Sequence, residues 1–118
     1  MAARSTTRAL PSPLLQLRKE LGLSRERMAR LLDVSAKTVE RWEERDALPS
    51  GPTARERLSK IQEIVHLGLI VCGPDGLPLF LSTPLRKFDG HDGLRLIEIG
   101  QAERVFAAIA GDYECLGF

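Results

Sequence analysis

The stretch from Ser24 to Arg45, SRERMARLLDVSAKTVERWEER, is punctuated at intervals that leave little choice of geometry. A serine hydroxyl can accept a free backbone N–H at a helix start, so Ser24 and Ser35 each read as N-caps. Met28, Leu31 and Leu32 share one side of the first helix, and Ala36, Val39 and Trp42 share one side of the second. Between them falls Asp33, a residue type that tolerates the left-handed backbone of a tight turn at some cost. Two amphipathic helices joined this closely must pack on each other. Ala29 is small where they would cross, and Met28, Leu32, Val34, Val39 and Trp42 would fill the wedge.

The second of these helices also carries the charge. VSAKTVERWEER, residues 34–45, places six charged residues among twelve. With Val39 and Trp42 turned inward, 100° per residue puts Lys37 and Arg41 on the opposite face. A helix of about three turns fits the major groove of DNA, and its N-terminal half would aim Lys37 and Arg41 at base edges. Ser35, Ala36 and Thr38 at its start, and Arg25 at the start of the preceding helix, would face phosphates, because helix N-termini attract anions. Arg45 would add a phosphate contact at the far end. The spacing therefore predicts a helix-turn-helix with Arg25, Ser35, Ala36, Lys37, Thr38, Arg41 and Arg45 at DNA. The competing reading is a scaffold helix of mixed surface charge, because Glu40, Glu43 and Glu44 oppose phosphate.

Charge distribution favours the first reading. Residues 1–60 hold 13 Lys and Arg against 8 Asp and Glu, a balance of +5, whereas residues 61–118 hold 4 against 8, a balance of −4. The near-neutral total of +1 conceals this asymmetry, which fits a first half that meets a polyanion. The two cysteines, Cys72 and Cys115, have apolar neighbours and no metal-like spacing to His66 or His91, so they read as small buried hydrophobes of a cytoplasmic protein. No apolar leader follows Arg4 and Arg8, and Ile64–Cys72 is too short to span a bilayer, so no membrane partner is expected.

Organisation along the chain is helical throughout. Residues 1–11 read as a disordered arm. Ser12 and Pro13 start a first helix that Gly22 ends. Residues 46–52, DALPSGP, read as a loop, and Thr53 with Glu56 has the capping-box pattern. The helix they start would run to about Cys72, with Leu58, Ile61, Val65 and Gly68 on one face, and would be apolar nearly all round from Ile64 onward. GPDGLP, residues 73–78, reads as a turn. Thr83-Pro84 and Asp92-Gly93 start short helices, Gly100 separates the last two, and Ala102, Val105, Phe106 and Ile109 line the final one. Only LPLFL, residues 77–81, has any strand-like alternation, and Leu79 and Phe80 are expected to pack in the core. The fold class is all-α.

No glycine pattern fits a phosphate loop, since Gly90, Gly93 and Gly100 read as turn and cap residues. His66 sits among apolar neighbours and reads as packed. His91 with Asp89 and Asp92 reads as a solvated turn rather than a metal site. No catalytic residues, metal or cofactor are expected, and the chain is not read as an enzyme.

LRKELGLSRERMARLLDVSAKTVERWEERDALPS resembles the Xre/Cro-type helix-turn-helix. That resemblance pairs Arg18 on the first helix with Glu43 on the third. It also places Glu44-Arg45-Asp46 where the family often has Asn-Gly. The second half, with Ser82-Thr83-Pro84-Leu85, Phe88-Asp89-Gly90, Gly100, Glu103-Arg104-Val105 and a tail of tyrosine and glycine, resembles the C-terminal region of Xre/MbcA/ParS-type antitoxins. The resemblance implies residues 12–52 as the DNA-binding domain and 53–118 as a helical toxin-binding and dimerisation domain. It implies an antitoxin of a type II toxin-antitoxin system that inhibits a cognate toxin, of the NAD-degrading RES type, and represses its own operon as a homodimer on operator DNA. An acidic, apolar tail, with Asp112, Tyr113, Glu114, Leu116 and Phe118 as toxin contacts, suits insertion into a basic nucleotide cleft. Two alternatives stay open: a free-standing Xre-type repressor without a toxin, and a toxin-binding protein whose helix-turn-helix does not touch DNA.

Overall fold

A computed structural model describes residues 13–112, so residues 1–12, with the expected arm and the Ser12 cap, and residues 113–118 lie outside the described residues. The element order is α1 (Pro13–Leu21), α2 (Arg25–Leu32), α3 (Ala36–Glu44), α4 (Pro52–Ser82), a 3₁₀ turn (Arg86–Phe88), α5 (Gly93–Glu98) and α6 (Ala102–Asp112). Among the described residues every regular element is helical, as the pattern predicts.

Local chemistry fixes the ends of these helices. Ser24 Oγ accepts from Arg27 N, Ser35 Oγ from Thr38 N and Asp92 Oδ1 from Arg95 N, each satisfying a donor that the first turn cannot. The C-terminal ends of α2 and α3 follow one rule. A residue in the left-handed region reverses the chain, and the next N–H reaches a carbonyl five residues back. Asp33 (φ 62°) does this for α2, where Val34 N donates to Ala29 O at 2.9 Å. Asp46 (φ 57°) does it for α3, where Ala47 N donates to Trp42 O at 2.9 Å. The bonds satisfy carbonyls that would otherwise be orphaned. Arg45, the middle of the three residues that depart from Asn-Gly, closes α3 with φ −94° and ψ 3°.

α4 departs from expectation at both ends. Gly51 is its N-cap and makes no side-chain cap bond, and Pro52 occupies the first turn, so the Thr53–Glu56 capping box does not form. Proline there costs nothing, because its missing N–H would be unpaired anyway. The expected turn over 73–78 shrinks to one residue, Gly73, whose φ of 82° and ψ of 168° break the helix. Pro74 then starts a second limb. LPLFL is helical rather than extended, with Leu77, Phe80 and Leu81 buried at helical spacing and Leu79 53% exposed. The expected core role therefore holds for Phe80 alone. The limbs meet where Gly68 faces Leu77, and a Cβ at Gly68 would collide with the Leu77 side chain.

By length and composition α4 is long and apolar enough to cross a membrane. Its break at Gly73 and its packing against α1, α2, α5 and α6 make it the central core helix. The core around it joins Leu14 and Leu17 of α1, Met28, Leu31 and Leu32 of α2, and Val39 of α3. From the second half it takes Leu77, Phe80, Phe88, Leu96, Val105 and Ile109. Phe80 and Phe88 meet edge to face at 6.3 Å. His66, expected in the core, is exposed, because the inward face of its turn is taken by Ile64, Val65 and Gly68. Cys72 is half-buried and disulfide-bonded rather than a reduced thiol, and Cys115 lies outside the described residues.

Polar groups close the seam between the halves. Arg57 Nη1 donates to the carbonyls of Leu31, Ile97 and Glu98 at 3.2, 3.2 and 3.1 Å, so one guanidinium caps the ends of both α2 and α5. The Glu98 side chain, 9% exposed, pairs with Arg27 at 2.7 Å, Arg30 at 3.4 Å and Arg95 at 3.0 Å. Asp89 pairs with Arg104 at 3.2 Å, and Asp92 is spent on its cap, so neither is held toward His91.

Candidate nucleic-acid interface

α3 is held to the protein along one side only. Val39 is fully buried, Ala36 and Trp42 are half-buried, and Glu43 joins them on the inward face. The Glu43 carboxylate takes a two-pronged contact from Arg18, Nε to Oε2 at 2.6 Å and Nη2 to Oε1 at 3.1 Å. Arg18 also donates to Leu23 O at 3.0 Å, so the pairing that the family resemblance implies forms and anchors α1, the following turn and α3 together. Arg25 Nε adds a third donor to Glu43 at 3.0 Å, and its Nη1 lies 3.9 Å from Glu40. Burial alone would raise the Glu43 carboxyl. The hydrogen bonds and charges of Arg18 and Arg25 outweigh it and hold the group below the usual carboxylate range.

Arg25 is thus engaged by Glu43 and Glu40, with its side chain still 41% exposed. The hydrogen bond to Glu43 pushes its pKa above the ordinary guanidinium value. A positional argument sees that Arg25 opens a helix. It misses that Glu43, four residues beyond Val39, turns back toward it. Periodicity can place Glu43 on the inward stripe, but it cannot say that Arg25 meets it there.

The outward side carries the rest of the predicted set. The side chains of Lys37 and Arg41 are exposed on neighbouring turns and make no hydrogen bond or ion pair with any described residue. Ser35 Oγ is occupied by Thr38 N at 3.1 Å and by the Thr38 hydroxyl at 2.8 Å, so both hydroxyls are committed to the cap. Ala36 and Thr38 are half-buried beside Lys37. Arg45 is exposed just beyond the last helical residue, and Glu44 is exposed next to it. Six of the seven residues, Ser35 to Arg45, therefore lie along α3 and its ends, and Arg25 flanks them through Glu40. Of the five tail residues, only Asp112 falls within a described helix, as the last residue of α6. Tyr113, Glu114, Leu116 and Phe118 lie outside the described residues.

A tightly turned helix pair with one charged helix free on its outer side has the geometry of a DNA reader. The helix-turn-helix family matches residues 14–56, from α1 into the first turn of α4. Residues 14–56 are a helix-turn-helix domain. Within it, α2 and α3 are the two helices on either side of the turn at Asp33. Most of the chain shares its fold with a chain of the crystal structure of the M. tuberculosis MbcT-MbcA toxin-antitoxin complex. The two are 23% identical with a TM-score of 0.68, and the match covers 84% of this chain and 88% of that one. No curated protein matches the sequence.

Proposed function

We propose that this chain is the antitoxin of a type II toxin-antitoxin pair, acting by binding rather than catalysis. It neutralises a cognate toxin enzyme and represses its own operon in the cytoplasm through the helix-turn-helix domain. The observation that carries this reading is the fold shared, across both halves, with a chain of a toxin-antitoxin complex. An isolated DNA-binding domain would not need the α5–α6 region that the likeness also spans. The NAD-degrading RES class is the toxin we favour, on the resemblance of the second half to Xre/MbcA/ParS-type antitoxins. The tail residues Asp112, Tyr113, Glu114, Leu116 and Phe118 are the proposed contacts with it.

A homodimer completes the proposal, since two recognition helices about 34 Å apart would meet successive major grooves of a palindromic operator. The large apolar residues left exposed on α4, Ile70 at 71% and Leu79 at 53%, are available for such an assembly.

The test is co-expression with the product of the neighbouring reading frame, followed by a shift assay on the upstream DNA. Rescue of growth, a stable complex and a retarded operator fragment are the expected results. Growth arrest that this chain fails to relieve would reject the antitoxin role.

A second reading has its own observation. Glu40 and Glu44 flank the reading face, and Arg25 is already engaged, so the domain could serve purely as a scaffold for toxin binding. It predicts a stable toxin complex with no DNA retention at low salt.

A further inference from the structure

Every side chain on the outer face of α3 can be sorted by what it has left to offer. Thr38 has its hydroxyl tied to Ser35, and Glu40 is the carboxylate that faces Arg25. Glu44 stands at the carboxyl end of the helix, outside the N-terminal half that reaches base edges in this type of docking. Ala36 carries no polar group. What remains is Lys37 and Arg41, both exposed and without a partner among the described residues. Lysine and arginine side chains donate hydrogen bonds and accept none. The free reading head of this helix is therefore made of donors alone.

That chemistry selects among the bases. In the major groove cytosine presents a donor, thymine one acceptor beside a methyl group, and adenine an acceptor beside a donor. Guanine alone presents two adjacent acceptors, N7 and O6, and no donor. An amide such as Asn or Gln, which would match adenine, is absent from α3. Resting on the operator-binding reading above, we infer that each operator half-site carries two guanines, one read by Lys37 and one by Arg41.

Spacing constrains the pair further. Residues four apart on a helix are separated by about 6 Å along its axis. Successive base pairs are about 3.4 Å apart. The two guanines therefore lie within two base-pair steps of each other, on the same strand or on opposite strands. Thymine methyl contact by Ala36, next to Lys37, is compatible with this pattern and adds an apolar preference beside it.

The experiment is selection of duplexes from a random pool by the full chain, followed by titration of the enriched site. The enriched site is prepared again with 7-deazaguanine at each conserved guanine, which removes the N7 acceptor and keeps base pairing. The expected result is a palindrome whose half-sites hold two guanines within two steps. Each 7-deaza substitution should cost roughly fivefold or more in affinity. Lys37→Ala should relax selection at one guanine and Arg41→Ala at the other, with unchanged melting temperatures because both side chains are exposed. An enriched site without paired guanines, or one indifferent to N7 removal, overturns the inference and leaves operator binding standing. Failure to enrich any sequence at low salt overturns operator binding itself.

Discussion

Glu43 Oε2 lies 2.6 Å from Arg18 Nε, with only 2% of the Glu43 side chain and 17% of the Arg18 side chain exposed. This contact fixes α3 against α1. Breaking such a pair leaves an uncompensated charge inside the protein, which costs far more than the pair itself stabilises. Glu43→Ala should destabilise the protein by about 3–5 kcal/mol in urea unfolding. Arg25→Ala removes a partner that is 41% exposed, and its effect should stay below about 1 kcal/mol. Equal losses for the two variants would show that the pairing with Arg18 does not dominate.

The same carboxylate makes stability depend on pH. Its folded pKa is depressed, so its contribution is fully present above the unfolded value of about 4.3. That contribution is lost as pH falls through the lower folded value. Melting temperature should therefore drop below about pH 4.3, and Glu43→Gln should flatten that part of the curve. A Gln variant with the wild-type slope would assign the acid sensitivity to other carboxylates.

Arg25 gives a prediction about DNA. Because Glu43 and Glu40 already balance its charge, it should release few counterions from DNA. Arg41→Ala and Lys37→Ala should each lower operator affinity by about 1–3 kcal/mol. Arg25→Ala should leave the slope of log affinity against log salt nearly unchanged. A slope reduced by about one unit in Arg25→Ala would mean that it leaves Glu43 to hold a phosphate.

Asp46 holds the left-handed position that ends α3, a conformation costing a non-glycine residue about 1–2 kcal/mol, less for Asp. Asp46→Gly should raise stability by roughly 0.5–1 kcal/mol and, by removing a negative charge near the recognition helix, strengthen DNA binding at low salt. Calorimetry and an operator titration read the two effects separately.

The break in α4 is testable through two of its glycines. Gly68→Val forces a branched side chain into the space of Leu77, which is completely buried, and should cost about 1–3 kcal/mol. Gly73→Ala meets no neighbouring atom but suffers the backbone conformation itself, at about 1–3 kcal/mol. A thermal melt that leaves both variants unchanged would place the turn elsewhere.

The helix-turn-helix was legible in the sequence because its signals are local: Ser24 and Ser35 as caps, Asp33 as the turn, and Val39 and Trp42 on one stripe. α4 was misread at its ends because Gly and Pro carry two meanings. Residues 73–78 have turn composition, yet Pro74 can equally open a helix, and only the contact between Gly68 and Leu77 decides between them. The commitment of Arg25 to Glu43 and Glu40, and the gathering of Arg27, Arg30 and Arg95 around Glu98, joins residues distant in sequence. Periodicity cannot reveal such partners, because a charged residue at a helix start looks the same whether it meets a carboxylate or a phosphate.

Arg57 reaches the last carbonyls of α2 and α5 at once, from a helix that begins where the sequence seemed to mark a border between modules. A gene cut at that border would strand the Leu31 carbonyl and uncover Leu14, Leu17, Met28 and Leu31 in the severed piece. Engineers wishing to graft the helix-turn-helix elsewhere must carry α4 with it, and dissection of the two proposed roles calls for point changes rather than scissors.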